Sequence, residues 1–131
     1  MCVRDRFRAV REAPVPMVAL IRGICFGGGF GLAAGCDLRL GDSSARFAVP
    51  AAKLGLAYPV DAVPDLVASL GSQRARHMLL TAQEINAETA LAAGFLLELH
   101  APEALDQAVA DLAGQLALVA PRSGRAARTA R

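Results

Sequence analysis

The sequence predicts an α/β fold with few, short strands, and three observations predict it. The first fifty residues hold short apolar runs broken by glycine, Met17-Val18-Ala19-Leu20-Ile21 above all. From Pro50 onward the apolar residues recur at helical spacing instead. The 131-residue chain is also 54% apolar and 20% charged, enough to bury a core and too apolar for a disordered tail.

Residues 2–12 read as the end of a helix stopped by Pro14 and Pro16. The run 17–21 is apolar throughout, which predicts a strand covered on both faces and closed by Gly23. The glycine run Gly27-Gly28-Gly29-Phe30-Gly31 follows, then a short helix over Leu32-Ala33-Ala34-Gly35-Cys36. Two more strands, 37–40 and 45–49, flank Gly41-Asp42-Ser43-Ser44. Pro64 suits the first turn of a helix ending at Leu70 with Gly71 as its stop. Ser72 is read as the cap of the next helix and Asn86 as the cap of a third, which ends at Gly94. Phe95–His100 reads as a last strand. Pro102 opens a long amphipathic helix through Leu105, Val109, Leu112, Leu116 and Val119, ended by Pro121. One partial domain over 1–131 is expected, with a glycine-turn core to about residue 60 and a helical part from about 61.

Composition removes several function classes. No apolar stretch approaches the ~20 residues of a membrane span, and Arg4, Arg6, Arg8 and Arg11 do not read as a signal peptide. Cys2, Cys25 and Cys36 are odd in number and lack metal spacing, so reduced thiols in a cytoplasmic protein are expected, with no metal. Net charge is +2, with Arg122, Arg125, Arg128 and Arg131 unopposed at the carboxyl end. That tail lacks the aromatic interleaving of a single-strand binder, and the chain has one tyrosine and no tryptophan. No nucleic-acid or membrane partner is expected. Among single polar residues, Asp37 reads as a tie between a helix end and a strand, His77 as a packed or surface side chain, and Cys25 as a small buried thiol.

A strand, a glycine turn and a helix start place unpaired backbone N–H groups where a ligand can approach them. A phosphate loop would need Gly-Lys-Ser/Thr after the run, and Phe30, Gly31 and Leu32 stand there instead. A dinucleotide fingerprint over Gly29, Gly31 and Ala34 would take Asp42 as its ribose acid. Asp42, however, follows Gly29 too soon, and the helix reads as too short to cross back over a parallel sheet. Two uses remain: an oxyanion hole for a developing carbonyl charge, or close strand–helix packing with no ligand.

Residues 16–29, from Pro16 to Gly29, resemble the centre of the enoyl-CoA hydratase/isomerase (crotonase) superfamily. The likeness continues through Ala34–Arg39, Ala45–Pro50, Lys53–Tyr58, Leu80–Ala87 and Ala90–Gly94. The resemblance implies the crotonase spiral fold and an enzyme acting on acyl-CoA thioesters, with an enolate-like intermediate held in an oxyanion hole. Coenzyme A enters as part of the substrate, with no separate cofactor. It also implies that Gly28 supplies one of two oxyanion N–H groups, and that Phe26, Gly27, Gly29, Ala51 and Leu56 line the substrate. A homotrimer or hexamer is the family's expected assembly.

Hydratases of this family use two glutamates, at the positions of Gly31 and Ala51 here. Neither residue can carry a proton, and general acid–base catalysis is typically worth ~10²–10⁴-fold. Relatives with a single aspartate in the following loop place it at the position of Pro59, which leaves Asp61 two residues out of register as a candidate catalytic acid. Leu54-Gly55-Leu56-Ala57-Tyr58 resembles the segment of methylmalonyl-CoA decarboxylases in which a tyrosine lies beside the substrate carboxylate. Tyr58 is therefore the expected contact to the acyl group. The family's chains are about twice as long, so this chain is expected to be the carboxyl-terminal half of the fold. Three functions follow as expectations: a decarboxylase-type acyl-CoA lyase, a hydratase or isomerase with non-standard acid and base, or a silent half that serves as an oligomerisation module.

Overall fold

The computed structural model describes residues 3–52 and 58–119. Cys2, Leu56, Pro121 and the arginines from 122 onward lie outside the described residues. Helix α1 (Val3–Arg11) carries Asp5 in its first turn and Arg8 and Arg11 in its last, charges that match the helix dipole. Strands β1 (Val18–Ile21) and β2 (Ile24–Phe26) follow, joined at Gly23, whose φ of +63° suits glycine. Helix α2 (Gly28–Gly35), β3 (Leu38–Asp42) and β4 (Arg46–Ala48) come next. After short 3-10 turns at Pro50–Ala52 and Val60–Ala62 the chain forms α3 (Val63–Leu70), α4 (Ser72–Thr81), β5 (Ile85–Asn86), α5 (Ala87–Ala92), β6 (Glu98–His100) and α6 (Leu105–Ala117).

The strands form two small sheets, ordered β1-β3-β6 and β2-β4-β5. Each tight turn, at Gly23 and again at Ser43-Ser44, carries the chain from the first sheet to the second, so each pass leaves one strand in both. β1 runs parallel to β3, β2 parallel to β4, and β5 antiparallel to β4. This is the spiral expected of the crotonase fold. The core lies between the sheets and helices α2–α5. Phe30 of α2, Phe47 of β4 and Phe95 before β6 meet there with ring centroids 5.1–5.6 Å apart. Ile21, Leu66, Leu70, Met78 and Leu96 pack around them, so the core is continuous across residue 60.

Several elements differ from the sequence reading. β2 was not expected, because three residues are too few to display an alternating pattern and only pairing with β4 defines them. α2 starts at Gly28 rather than Leu32, so the glycines form its first turn. A helix of eight residues suffices in the connection 22–37 between the parallel strands β1 and β3, contrary to the expectation, because the turn into β2 has already moved the chain off the first sheet. β1 is not covered on both faces: it stands at a sheet edge, and Leu20 is 39% exposed. Gly71, with φ +92°, caps α4 in place of Ser72, which is already helical. Asn86 does cap α5, its side-chain oxygen accepting the Thr89 N–H at 2.8 Å. β6 is shorter than predicted, because Phe95 and Leu96 are apolar for the core rather than for a strand.

Arg39 fixes the far end of α2. Its guanidinium donates to the carbonyls of Ala33 (3.2 Å), Cys36 (2.8 Å) and Phe95 (2.6 Å) and lies 4.7 Å from the Phe95 ring centroid. A cation at a helix carboxyl end satisfies carbonyls that the helix leaves open. Replacing Arg39 by methionine keeps the aliphatic stem and orphans these acceptors. Urea unfolding is expected to show a loss of about 1.5–3 kcal/mol, the range of hydrogen bonds to charged groups. An unchanged midpoint would show that water replaces the guanidinium freely.

Candidate functional site

β2 delivers the chain to Gly27, whose φ of +58° and ψ of −120° lie where an L side chain is strained. Its N–H donates to the Ala48 carbonyl at 3.0 Å, which ties the turn to β4. Its carbonyl accepts two hydrogen bonds, from the Gly31 N–H at 3.0 Å and from the Tyr58 hydroxyl at 3.2 Å. The N–H groups of Gly28, Gly29 and Phe30 then open α2 with no acceptor inside the helix and no side-chain cap. Gly28 and Gly29 are exposed, and a Cβ on either would meet nothing within 4 Å. The positive end of α2 thus faces open space.

Position 31, one turn into the helix, is closed. A Cβ there would stand 2.6 Å from the Tyr58 hydroxyl and 2.9 Å from the Phe7 ring. Tyr58 is half-buried against the core. Burial, with smaller contributions from Cys25 and Asp65, pushes its phenol up to about 12, so it stays protonated and neutral. Burial likewise raises the Cys25 thiol to about 11, with Cys36 adding to the effect, and a thiol held protonated is a poor nucleophile.

The structure brings Phe26, Gly27, Gly28, Gly29 and Tyr58 together at one turn. Ala51 packs against the same core as Tyr58. Asp61 is exposed on the turn before α3, and its backbone carbonyl accepts from Arg11 at 2.6 Å. Leu56 lies outside the described residues. Asp42 is buried in the β3–β4 turn, where it accepts the Ser44 N–H at 2.8 Å and faces Arg22 at 3.5 Å. It holds the turn and is not available to a ribose. Asp37 accepts the Met17 N–H at 2.7 Å, the expected tie between helix end and strand, and His77 is a surface residue of α4. Among the described residues no group of three His, Cys, Asp or Glu side chains could hold a metal ion, and no helix is long and apolar enough to cross a membrane. Phe7 is the member of the site that sequence reasoning missed. Its only signal is the Phe7/Val10 spacing on the apolar side of α1.

Residues 2–130 match the family model described as enoyl-CoA hydratase/isomerase. The chain belongs to the enoyl-CoA hydratase/isomerase family. An enoyl-CoA hydratase of Alternaria alternata is 35% identical over 127 residues, covering 94% of this chain and 41% of that protein. A short-chain-enoyl-CoA hydratase of Clostridium acetobutylicum is 30% identical over 115 residues, or 88% and 44% of the two chains. An enoyl-CoA hydratase/carnithine racemase of Magnetospirillum magneticum superposes with a TM-score of 0.91 at 31% identity, covering 96% of this chain and 47% of the other. A methylmalonyl-CoA decarboxylase shares the fold, with a TM-score of 0.92 at 24% identity. The chain thus spans about half the length of these relatives, as the family resemblance leads one to expect.

Because the chain has one tyrosine and no tryptophan, absorbance near 295 nm reports Tyr58 alone. Its titration is expected near pH 12 in the folded chain, against about 10 for a free phenol. The fold favours the protonated form, so the associated stability is complete below pH 10 and lost as pH climbs towards 12. A midpoint at 10 would mean that the ring is solvated rather than half-buried.

Proposed function

We propose that this chain is the half of an acyl-CoA enzyme that activates the thioester carbonyl, and that its reaction is of decarboxylase type. The observation that carries the reading is the closure of position 31. The Tyr58 hydroxyl and the Phe7 ring fill the space beside Gly31, the position at which the family resemblance implies the first glutamate of a hydratase. The second glutamate position is Ala51. What remains at the turn is a set of N–H dipoles that can hold a negative oxygen, and one neutral phenol that cannot take a proton from water at neutral pH.

Decarboxylation of a malonyl-type thioester asks for no more than this. The bond between the α-carbon and its carboxylate breaks and carbon dioxide leaves. The electron pair moves into the thioester, whose oxygen becomes an enolate oxygen facing the Gly28 N–H. Protonation of the α-carbon from solvent completes the reaction. Coenzyme A is the handle of the substrate. In this reading the enzyme is cytoplasmic and works as a homotrimer or hexamer.

Gly28→Pro tests the donor. Proline is tolerated at the first helical position and removes the N–H. Release of carbon dioxide from a malonyl-type thioester is expected to slow by about 10²–10³-fold, the measured worth of one oxyanion donor. Undiminished release would remove Gly28 from the mechanism. Hydration of an enoyl-CoA in the same assay would favour the alternative reading, with Asp61 as the candidate acid.

One observation favours the oligomerisation module as a second reading. On α6 only Leu105 is fully buried; Val109, Leu112 and Leu116 are half-covered, and Leu118 beyond the helix is 88% exposed. Sedimentation at micromolar concentration is expected to show a trimer that dissociates on Leu112→Glu. A monomer that stays folded would contradict it.

A further inference from the structure

The Tyr58 hydroxyl is bonded to one end of a peptide group whose other end is the Gly28 N–H. The Gly27 carbonyl and the Gly28 N–H are joined by a planar trans bond, so the two point in opposite directions. The carbonyl is turned into the protein, where Gly31 N–H and Tyr58 hydroxyl occupy its two lone pairs at 3.0 and 3.2 Å. The N–H is therefore turned outward, into the open space beside Gly28 and Gly29. A hydroxyl bound behind this peptide does not face what is bound in front of it.

We infer that Tyr58 is a positioning residue: its hydroxyl grips the Gly27 carbonyl and thereby aims and polarises the Gly28 N–H, without touching the substrate. The inference rests on the reading of Gly28 as the donor to the thioester oxygen. Two physical effects act together. A second hydrogen bond on the carbonyl restrains rotation of a peptide whose preceding residue, Gly27, has no side chain to restrain it. A donor at the carbonyl also draws electrons through the amide, which makes the N–H at the other end a stronger donor. Gly31 is part of the same device. Any side chain there would meet the hydroxyl at 2.6 Å, so glycine at 31 is what admits Tyr58 to the carbonyl. The phenol stays protonated to about pH 12, which keeps it a donor throughout the working range.

The hydroxyl contact is the longer of the two, so its removal weakens the donor without abolishing it. Tyr58→Phe is expected to lower kcat about tenfold with KM unchanged, well short of the 10²–10³ that losing a whole oxyanion donor costs. In the ligand-free chain, the Gly28 amide nitrogen and proton resonances are expected to move upfield, while the ring-shifted methyl signals around Phe30, Phe47 and Phe95 stay in place. Gly31→Ala keeps the phenol but pushes it off the carbonyl, and is expected to move the Gly28 resonance in the same direction. A Gly28 resonance unmoved in both variants overturns the inference, as does a raised KM at constant kcat, which marks direct substrate contact. The two readings fail separately. Should Gly28→Pro slow turnover by the expected ~10²–10³-fold while Tyr58→Phe leaves the Gly28 amide unchanged, the proposed function stands and the positioning role falls. Should the amide move while the protein releases no carbon dioxide, the positioning role stands and the decarboxylase reading falls.

Discussion

Three hydrogen bonds fix Gly27, whose carbonyl forms the peptide to Gly28. The Gly27 N–H is bonded to β4 through Ala48, its carbonyl is bonded to Gly31 one turn along α2, and the Tyr58 hydroxyl makes the third bond. These bonds hold a backbone conformation, φ +58° and ψ −120°, that only glycine adopts without strain. The outward direction of the helix's first N–H groups depends on that conformation. A side chain at 27 would relax the turn, and the N–H of Gly28 would no longer point into the open space that a ligand would fill.

The rest of the fold serves to hold the helix behind this peptide. Phe30 anchors one side of α2 against Phe47 and Phe95, rings contributed by a strand and a loop distant in sequence. Arg39 ties the carboxyl end of α2 to the loop before β6. Two sheets, each with a strand from every pass of the spiral, set the distance between the turn at Gly27 and the strand at Ala48. Both β1 and β2 stand at sheet edges, and relatives about twice the length of this chain share the fold.

Much of this was legible in the sequence where the signal is local. Helix ends are marked by Pro64, Gly71, Asn86 and Gly94, and the glycine run with its flanking segments carries the family resemblance. Gly28 and Tyr58 were both marked out by such segments. What was not legible depends on contacts between distant parts of the chain. β2 exists because β4 pairs with it. Arg39 reads as an ordinary charged residue of a strand until the fold places Phe95 under its guanidinium. The closure of position 31 combines Phe7, Gly31 and Tyr58 from three separate segments, and no spacing rule links them. The sequence shows a glycine at 31; only the packing shows that a Cβ there would press on the Tyr58 hydroxyl and the Phe7 ring.

The central claim is that the outward N–H of Gly28 polarises a thioester carbonyl. The most direct measurement is the infrared carbonyl stretch of an isotope-labelled, non-reactive malonyl-type thioester of coenzyme A, free in water and bound to the protein. The account predicts a shift to lower frequency on binding, because a fixed dipole lengthens the carbonyl bond more than mobile water does. Binding with the stretch unmoved, or moved to higher frequency, would contradict it: the thioester would then lie in an apolar setting away from the glycine turn.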